Sequence, residues 1–264
     1  MRRWVLAGGV LVYVAAVAIL VATGNTEVHY SADGGETRPM WFRWLPAAVG
    51  ILLIRLTPPQ LDRAPGGRSD RRQAWILVGL ALAFAVLLKL FGLFEVWKVL
   101  LLLLAPLAVF RWLGGRPTER WPATARWAPA LPVAAWLLLT YVGPLAQESA
   151  RPDLAVLDLV MAMVAVFLIN SVLEEVFYRR WLQTRWEQQL GPWPAIVIAS
   201  LLWACWHVGI QGTGELGVDL AGAVVNQGVL GLFLGYLWSR YRRMWPLFTV
   251  HGAVNAMGIL LSLV

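Results

Sequence analysis

The chain has 264 residues, 59% of them hydrophobic and only 14% charged, with a formal charge of +7 and a pI near 10.2. Soluble domains carry about 45 to 50% apolar residues, so this composition excludes a water-soluble enzyme and points to a membrane protein. Cys205 is the only cysteine, which excludes an intrachain disulfide and a Cys-rich metal site.

A helix needs about 17 to 25 apolar residues to cross ~30 Å of hydrocarbon. Nine stretches come near this length: 4–23, 41–55, 74–91, 97–113, 127–146, 154–173, 193–210, 220–239 and 245–264. The expected fold class is therefore all-α, a polytopic membrane helix bundle of about eight to nine transmembrane helices. The first apolar run exceeds the about 7 to 15 residues of a cleavable signal segment and is read as a retained helix. The second is short and holds Arg43 and Pro46, so it fits an interfacial position as well as a span. The Pro-, Gly- and Arg-rich segment 57–73 reads as a flexible connector that sets the first two helices apart as a peripheral pair.

Arginines mark alternate connectors. Arg2 and Arg3 precede the first stretch, and Arg55, Arg63, Arg68, Arg71 and Arg72 surround the connector after the second. Arg111, Arg116, Arg120 and Arg126 follow the fourth; Arg179, Arg180 and Arg185 follow the sixth; Arg240, Arg242 and Arg243 follow the eighth. The opposite connectors are acidic or mixed, with Glu27, Asp33 and Glu36, then Glu148, Arg151 and Asp153, then Glu215 and Asp219. Because short cytoplasmic loops collect Lys and Arg, the expected orientation has a cytoplasmic N-terminus in a bacterial inner membrane. Topology and anionic headgroups then account for the positive charge, and nucleic acid is not an expected partner.

Three groups of polar residues carry the chemistry, all after residue 127, so the expected division is a variable N-terminal helical part, 1–126, and a functional core, 127–264. In Glu174-Glu175-Val176-Phe177-Tyr178-Arg179, residues four apart share a helix face. This pairs Glu175 with Arg179 and leaves Glu174, rotated about 100° away, as the freer base. Two acids in basic surroundings also serve as a simple helix-end cap. Trp203-Ala204-Cys205-Trp206-His207 puts an aromatic ring and an imidazole on one face, and His251-Gly252-Ala253-Val254-Asn255 does the same for two polar groups. Taken singly, these histidines and Asn255 also suit interhelical hydrogen bonding. Two of the three histidines in the chain nevertheless fall in apolar stretches that follow the paired glutamates, His207 in 193–210 and His251 in 245–264, and ionisable groups in hydrocarbon mark functional sites.

At these residues the chain resembles the CPBP family of intramembrane proteases, which includes the CAAX prenyl endopeptidases and the bacterial Abi proteins. The EExxxR, FxxxH and HxxxN/D pattern of that family is met by Glu174, Glu175 and Arg179, by Trp203 with His207, and by His251 with Asn255. Trp203 stands where phenylalanine is usual, a replacement of one aromatic ring by another that should leave the chemistry unaltered. The resemblance covers about residues 130 to 264. It implies an intramembrane endopeptidase acting on a membrane-associated or lipid-anchored protein or peptide. Glu174 would be the general base and His207 would hold the attacking water; His251 and Asn255 would stabilise the oxyanion, braced by Glu175 and Arg179.

No cofactor is expected, since HExxH is absent and Asn255 is a poor metal ligand; a catalytic zinc would have to use Glu174, His207 and His251. A proton-coupled transporter and a non-catalytic scaffold or immunity protein are the rival classes. One difficulty is depth, because Glu174 falls near the end of its stretch and His207 far inside its own. Their meeting requires the sixth helix to continue past Arg185, with a water-filled cavity open to the cytoplasm.

Overall fold

The computed structural model describes residues 2–29, 37–57, 71–114, 125–142, 145–146 and 155–261. Among them nine helices occupy the nine apolar stretches. They are α1 (Arg2–Thr23), α2 (Trp41–Leu56), α3 (Arg71–Phe91), α4 (94–112) and α5 (Ala130–Tyr141), followed by α6 (Val156–Leu190), α7 (Pro192–Gln211), α8 (Leu216–Tyr241) and α9 (Met244–Leu261). A short antiparallel ribbon, β1 (Glu27–His29) with β2 (Thr37–Pro39), joins α1 to α2. Most of the segment 57–73 lies outside the described residues.

Five helices, α1, α3, α6, α7 and α8, are long and apolar enough to cross a membrane. The chain is an integral membrane protein built as an all-α bundle. Leu11, Val14, Leu90, Leu157, Met161 and Leu168 are exposed, as suits side chains in contact with lipid rather than water. By contrast α5 has 12 residues, about 18 Å of helix, less than the stretch 127–146 led us to expect.

One hydrophobic core runs through α2 to α9, with Ile54, Phe84, Phe110, Trp136, Phe177, Trp203, Phe233 and Leu247 buried together. The first two helices are not a peripheral pair. Gly50 of α2 lies so close to the Phe233 ring that a Cβ there would collide with it. On α1, Ala16 and Leu20 pack with Val224 and Val225 of α8, and the Tyr13 hydroxyl donates to the Gly228 carbonyl at 2.9 Å.

The 35 residues of α6 extend about 52 Å, well past Arg185 as the depth argument demanded. Arg179 and Arg185, expected in the connector, are instead buried in this helix. Arg185 donates to Gln73 Oε1 at 3.0 Å, so its charge is accommodated inside the bundle. The chain reverses at Gly191, whose φ of +80° lies in the left-handed region that glycine alone enters without a steric penalty. Glu174 is seventeen residues before this turn and His207 sixteen after it, both about 25 Å away along antiparallel helices. The hairpin register therefore brings them level and removes the depth conflict.

At the same end, α6 and α8 are joined by polar contacts. Gln183 donates to the Gly235 carbonyl at 2.7 Å, Trp238 donates to Thr184 at 2.9 Å, and Glu187 pairs with Arg242. Two π-helical segments of α6, Phe167–Val172 and Val176–Gln183, flank the glutamates, and a third lies at Val224–Gly228 of α8. Such widened turns are frequent at functional sites.

Candidate active site

Glu174 sits between the two π-helical segments of α6 and is 1% exposed. A carboxylate this deeply buried needs compensation, and it has two partners. Lys98 of α4 donates to Oε1 at 2.5 Å, and the Trp203 indole N–H donates to Oε2 at 2.5 Å. The expectation that Glu174 is the freer acid is thus corrected: it is held on both oxygens. Trp203 likewise does what phenylalanine could not, since its N–H supplies a hydrogen bond.

Glu175 is the hub of a second buried group. Its Oε2 accepts from Arg179 Nε at 3.2 Å, the expected i to i+4 pair, and its Oε1 accepts from His251 Nδ1 at 2.8 Å. The Arg179 guanidinium also lies 5.3 Å from the Trp203 ring centroid. With Nδ1 committed to Glu175, His251 places Nε2 3.9 Å from Glu174 Oε2. Asn255, one turn further along α9, donates from Nδ2 to Ser171 Oγ at 3.0 Å, which leaves its second N–H available.

A break in α7 positions His207. The regular helix stops at Cys205, and the His207 amide donates to the Ala204 carbonyl at 3.1 Å instead of to that of Trp203. The ring then bonds the Trp203 carbonyl through Nδ1 at 3.0 Å. A carbonyl can only accept, so Nδ1 carries a proton, and in the neutral form of the ring Nε2 keeps its lone pair. Trp206 stacks on the imidazole with ring centroids 3.8 Å apart.

Glu174, His207, His251 and Asn255 line one cavity of about 80 Å³, together with Trp203, Asn170, Arg43 and Asn226. This polar space is large enough for several waters. A larger cavity of about 450 Å³ shares His207, Gln211 and Asn226 as walls and is bounded by Gly24, Asn25, Glu27, Thr37, Thr213 and Asp219. It lies at the ends of α1 and α7 away from Arg2 and Gly191, which approach each other at the opposite end. The larger space therefore adjoins the site from the end opposite Arg2 and Gly191.

The zinc set does not fit this arrangement. Both oxygens of Glu174 are taken by N–H donors, one of them a cation. Among the described residues, no three His, Cys, Asp or Glu side chains are grouped to hold a metal ion.

Two residues of the site lie before residue 127, where no chemistry was expected. Lys98 is fully buried, and Arg43 of α2 donates to Asn226 Oδ1 at 2.8 Å. The available signal was charge within apolar sequence: Lys98 is the only charged residue between Glu95 and Arg111, and Arg43 was read only as weakening its span.

Residues 156–257 match the family model described as type II CAAX prenyl endopeptidase Rce1-like. The match spans all three motifs and supports the resemblance to CAAX proteases read from them. No curated protein matches the chain, and no solved structure does.

Proposed function

We propose that the chain is an intramembrane endopeptidase that hydrolyses a peptide bond of a membrane-associated or lipid-anchored protein or peptide, with Glu174 as the base. The family match indicates a CAAX-type endopeptidase in general terms. The observation that carries the finer reading is the convergence of Glu174, His207, His251 and Asn255, from three helices, on one cavity.

Water is a poor nucleophile at neutral pH, so a base must take its proton as it attacks the carbonyl carbon. The 3.9 Å between Glu174 Oε2 and His251 Nε2 is too long for a hydrogen bond and suits a water bonded to both. His207, through its free Nε2, accepts from the same water pool. As hydroxide adds to the carbonyl, Glu174 receives the proton. The oxyanion then takes hydrogen bonds from the second N–H of Asn255 and from the Nε2–H of His251, which enters the step with a proton on each ring nitrogen and keeps both. Collapse of the tetrahedral intermediate breaks the C–N bond and passes the proton from Glu174 to the leaving amine. Lys98 supplies the positive charge beside Glu174 in this scheme, and no step uses a metal ion.

The test compares membrane and secreted protein termini in cells carrying the intact protein or Glu174→Gln. A precursor that accumulates only with Glu174→Gln supports the proposal and identifies the substrate; identical termini refute it. Purified active protein should contain no stoichiometric zinc and should keep its activity after chelation.

A further inference from the structure

We infer that Lys98 is a positioning residue of the active site, a built-in counter-cation that fixes one oxygen of Glu174 and leaves the other directed at His251. The inference rests on the reading of Glu174 as the base and adds to it the part played by the N-terminal helices. Lys98 lies outside the segment 156–257 that matches the protease family, and 76 residues separate it from Glu174.

Two hydrogen bonds and two aromatic rings surround the ammonium. One reaches Glu174 Oε1 at 2.5 Å, and a second reaches Asn170 Oδ1 at 2.8 Å. The nitrogen also lies 3.9 Å from the Phe94 ring centroid and 4.8 Å from that of Trp206, within the range of a cation–π contact. A snorkelling lysine keeps its charge in water; here the side chain is 0% exposed and the charge is enclosed. Breaking a buried pair by removing one partner is costly, so the pair places a strong constraint on the carboxylate.

That constraint acts on the reacting geometry. With Oε1 pinned by α4 and Oε2 by Trp203 of α7, the Glu174 carboxylate cannot rotate, and Oε2 stays 3.9 Å from His251 Nε2. Trp206 extends the effect, because the ring beside the ammonium also stacks on His207. Among the described residues, the charged and titratable groups around Glu174 are Lys98 on α4, His207 on α7, His251 on α9, and Glu175, Tyr178 and Arg179 on its own helix, with Arg43 of α2 on the wall of the same cavity. Glu175 and Arg179 pair with each other and Arg43 donates to Asn226, while Lys98 hydrogen-bonds Glu174 directly.

The experiment uses the full chain in lipid nanodiscs with an internally quenched peptide bearing a prenylated CAAX tail. Lys98→Met should lower kcat about 100-fold with KM changed by less than about twofold, the pattern of a defect confined to the chemical step. Lys98→Arg, which keeps the charge and a donor, should recover at least about tenfold of that loss. Infrared spectra corrected by subtraction of Glu174→Gln should show the Glu174 carboxylate band shifted in Lys98→Met and restored in Lys98→Arg. An unchanged kcat in Lys98→Met, or an unshifted band, overturns the inference. If the intact protein does not cleave this peptide, the infrared arm still decides the role of Lys98, while the protease reading stands or falls on the termini of Glu174→Gln cells. If Lys98→Met does not fold, Lys98→Gln, a neutral donor, takes its place in both arms.

Discussion

Trp203 shows how one atom can change the meaning of a motif position. As an aromatic residue four before His207 it fits the family pattern, yet its indole N–H donates to Glu174 Oε2 at 2.5 Å. A hydrogen bond to a charged group contributes about 1.5 to 3 kcal/mol, and here it orients the proposed base. Trp203→Phe should therefore fold, with an apolar ring still filling the site, and should lower kcat about 10- to 100-fold. Hydrolysis of the prenylated reporter peptide checks the rate and thermal unfolding checks the fold; full activity would show that the N–H is dispensable. Glu174, Glu175, His207 and His251 were legible in the sequence because ionisable residues stand out against apolar stretches. Lys98 was not, because it is the second residue of the stretch 97–113, where a charge at the edge of a span carries no sign of a partner 76 residues away. Nor could the glutamate assignment be completed: spacing identified the Glu175–Arg179 pair, but partners from other helices decide how Glu174 is held.

At the scale of elements, the apolar stretches located all nine helices of the described residues, but hydropathy could not set their ends. Hydropathy alone ends the sixth stretch at 173, and it was the depth argument that carried the helix past Arg185; α6 runs to Leu190. Arginines were taken as a boundary, yet Arg179 and Arg185 are buried: Arg179 pairs with nearby Glu175, while the amide of Gln73 and the ring of Phe110 that hold Arg185 are far off in sequence. Contact between α7 and α8 depends on small residues in the manner of membrane helices. A Cβ on Gly231 would lie 2.9 Å from Ser200 Cβ and 3.1 Å from its Cα, and one on Gly235 would lie 2.9 Å from Ile196. Because the backbone of α7 cannot yield as a flexible side chain can, Gly231→Ala should separate the helices and cost about 1 to 3 kcal/mol. Gly79 of α3 is a matched control with open space around its position, and Gly79→Ala should stabilise by about 0.5 to 1 kcal/mol. Thermal unfolding in detergent should thus move in opposite directions for the two variants. A Gly231→Ala protein as stable as the parent would mean that the α7–α8 contact is looser than these distances imply.

For the whole molecule, the open question is which face of the membrane the site meets. The structure groups Arg2, Gly191 and Arg242 at one end, with Arg2 against Gly191 and Arg242 against Glu187; by the arginine rule this end would be the cytoplasmic one. The larger cavity behind His207 lies at the other end, among Gly24, Thr37, Thr213 and Asp219. If the arginine rule sets the orientation, water reaches the site from the non-cytoplasmic face, the reverse of what the sequence suggested. The single cysteine makes this measurable: in a Cys205→Ala background, Thr213→Cys and Arg243→Cys each give a chain with one thiol. A membrane-impermeant maleimide applied to intact cells should label Thr213→Cys directly and Arg243→Cys only after permeabilisation. The inverse pattern would place the cavity on the cytoplasmic face and the N-terminus outside. Glu174, buried about 25 Å from the Gly191 turn, would then meet its substrate from the side on which Arg2 is not, so the outcome also selects the leaflet in which the scissile bond is presented.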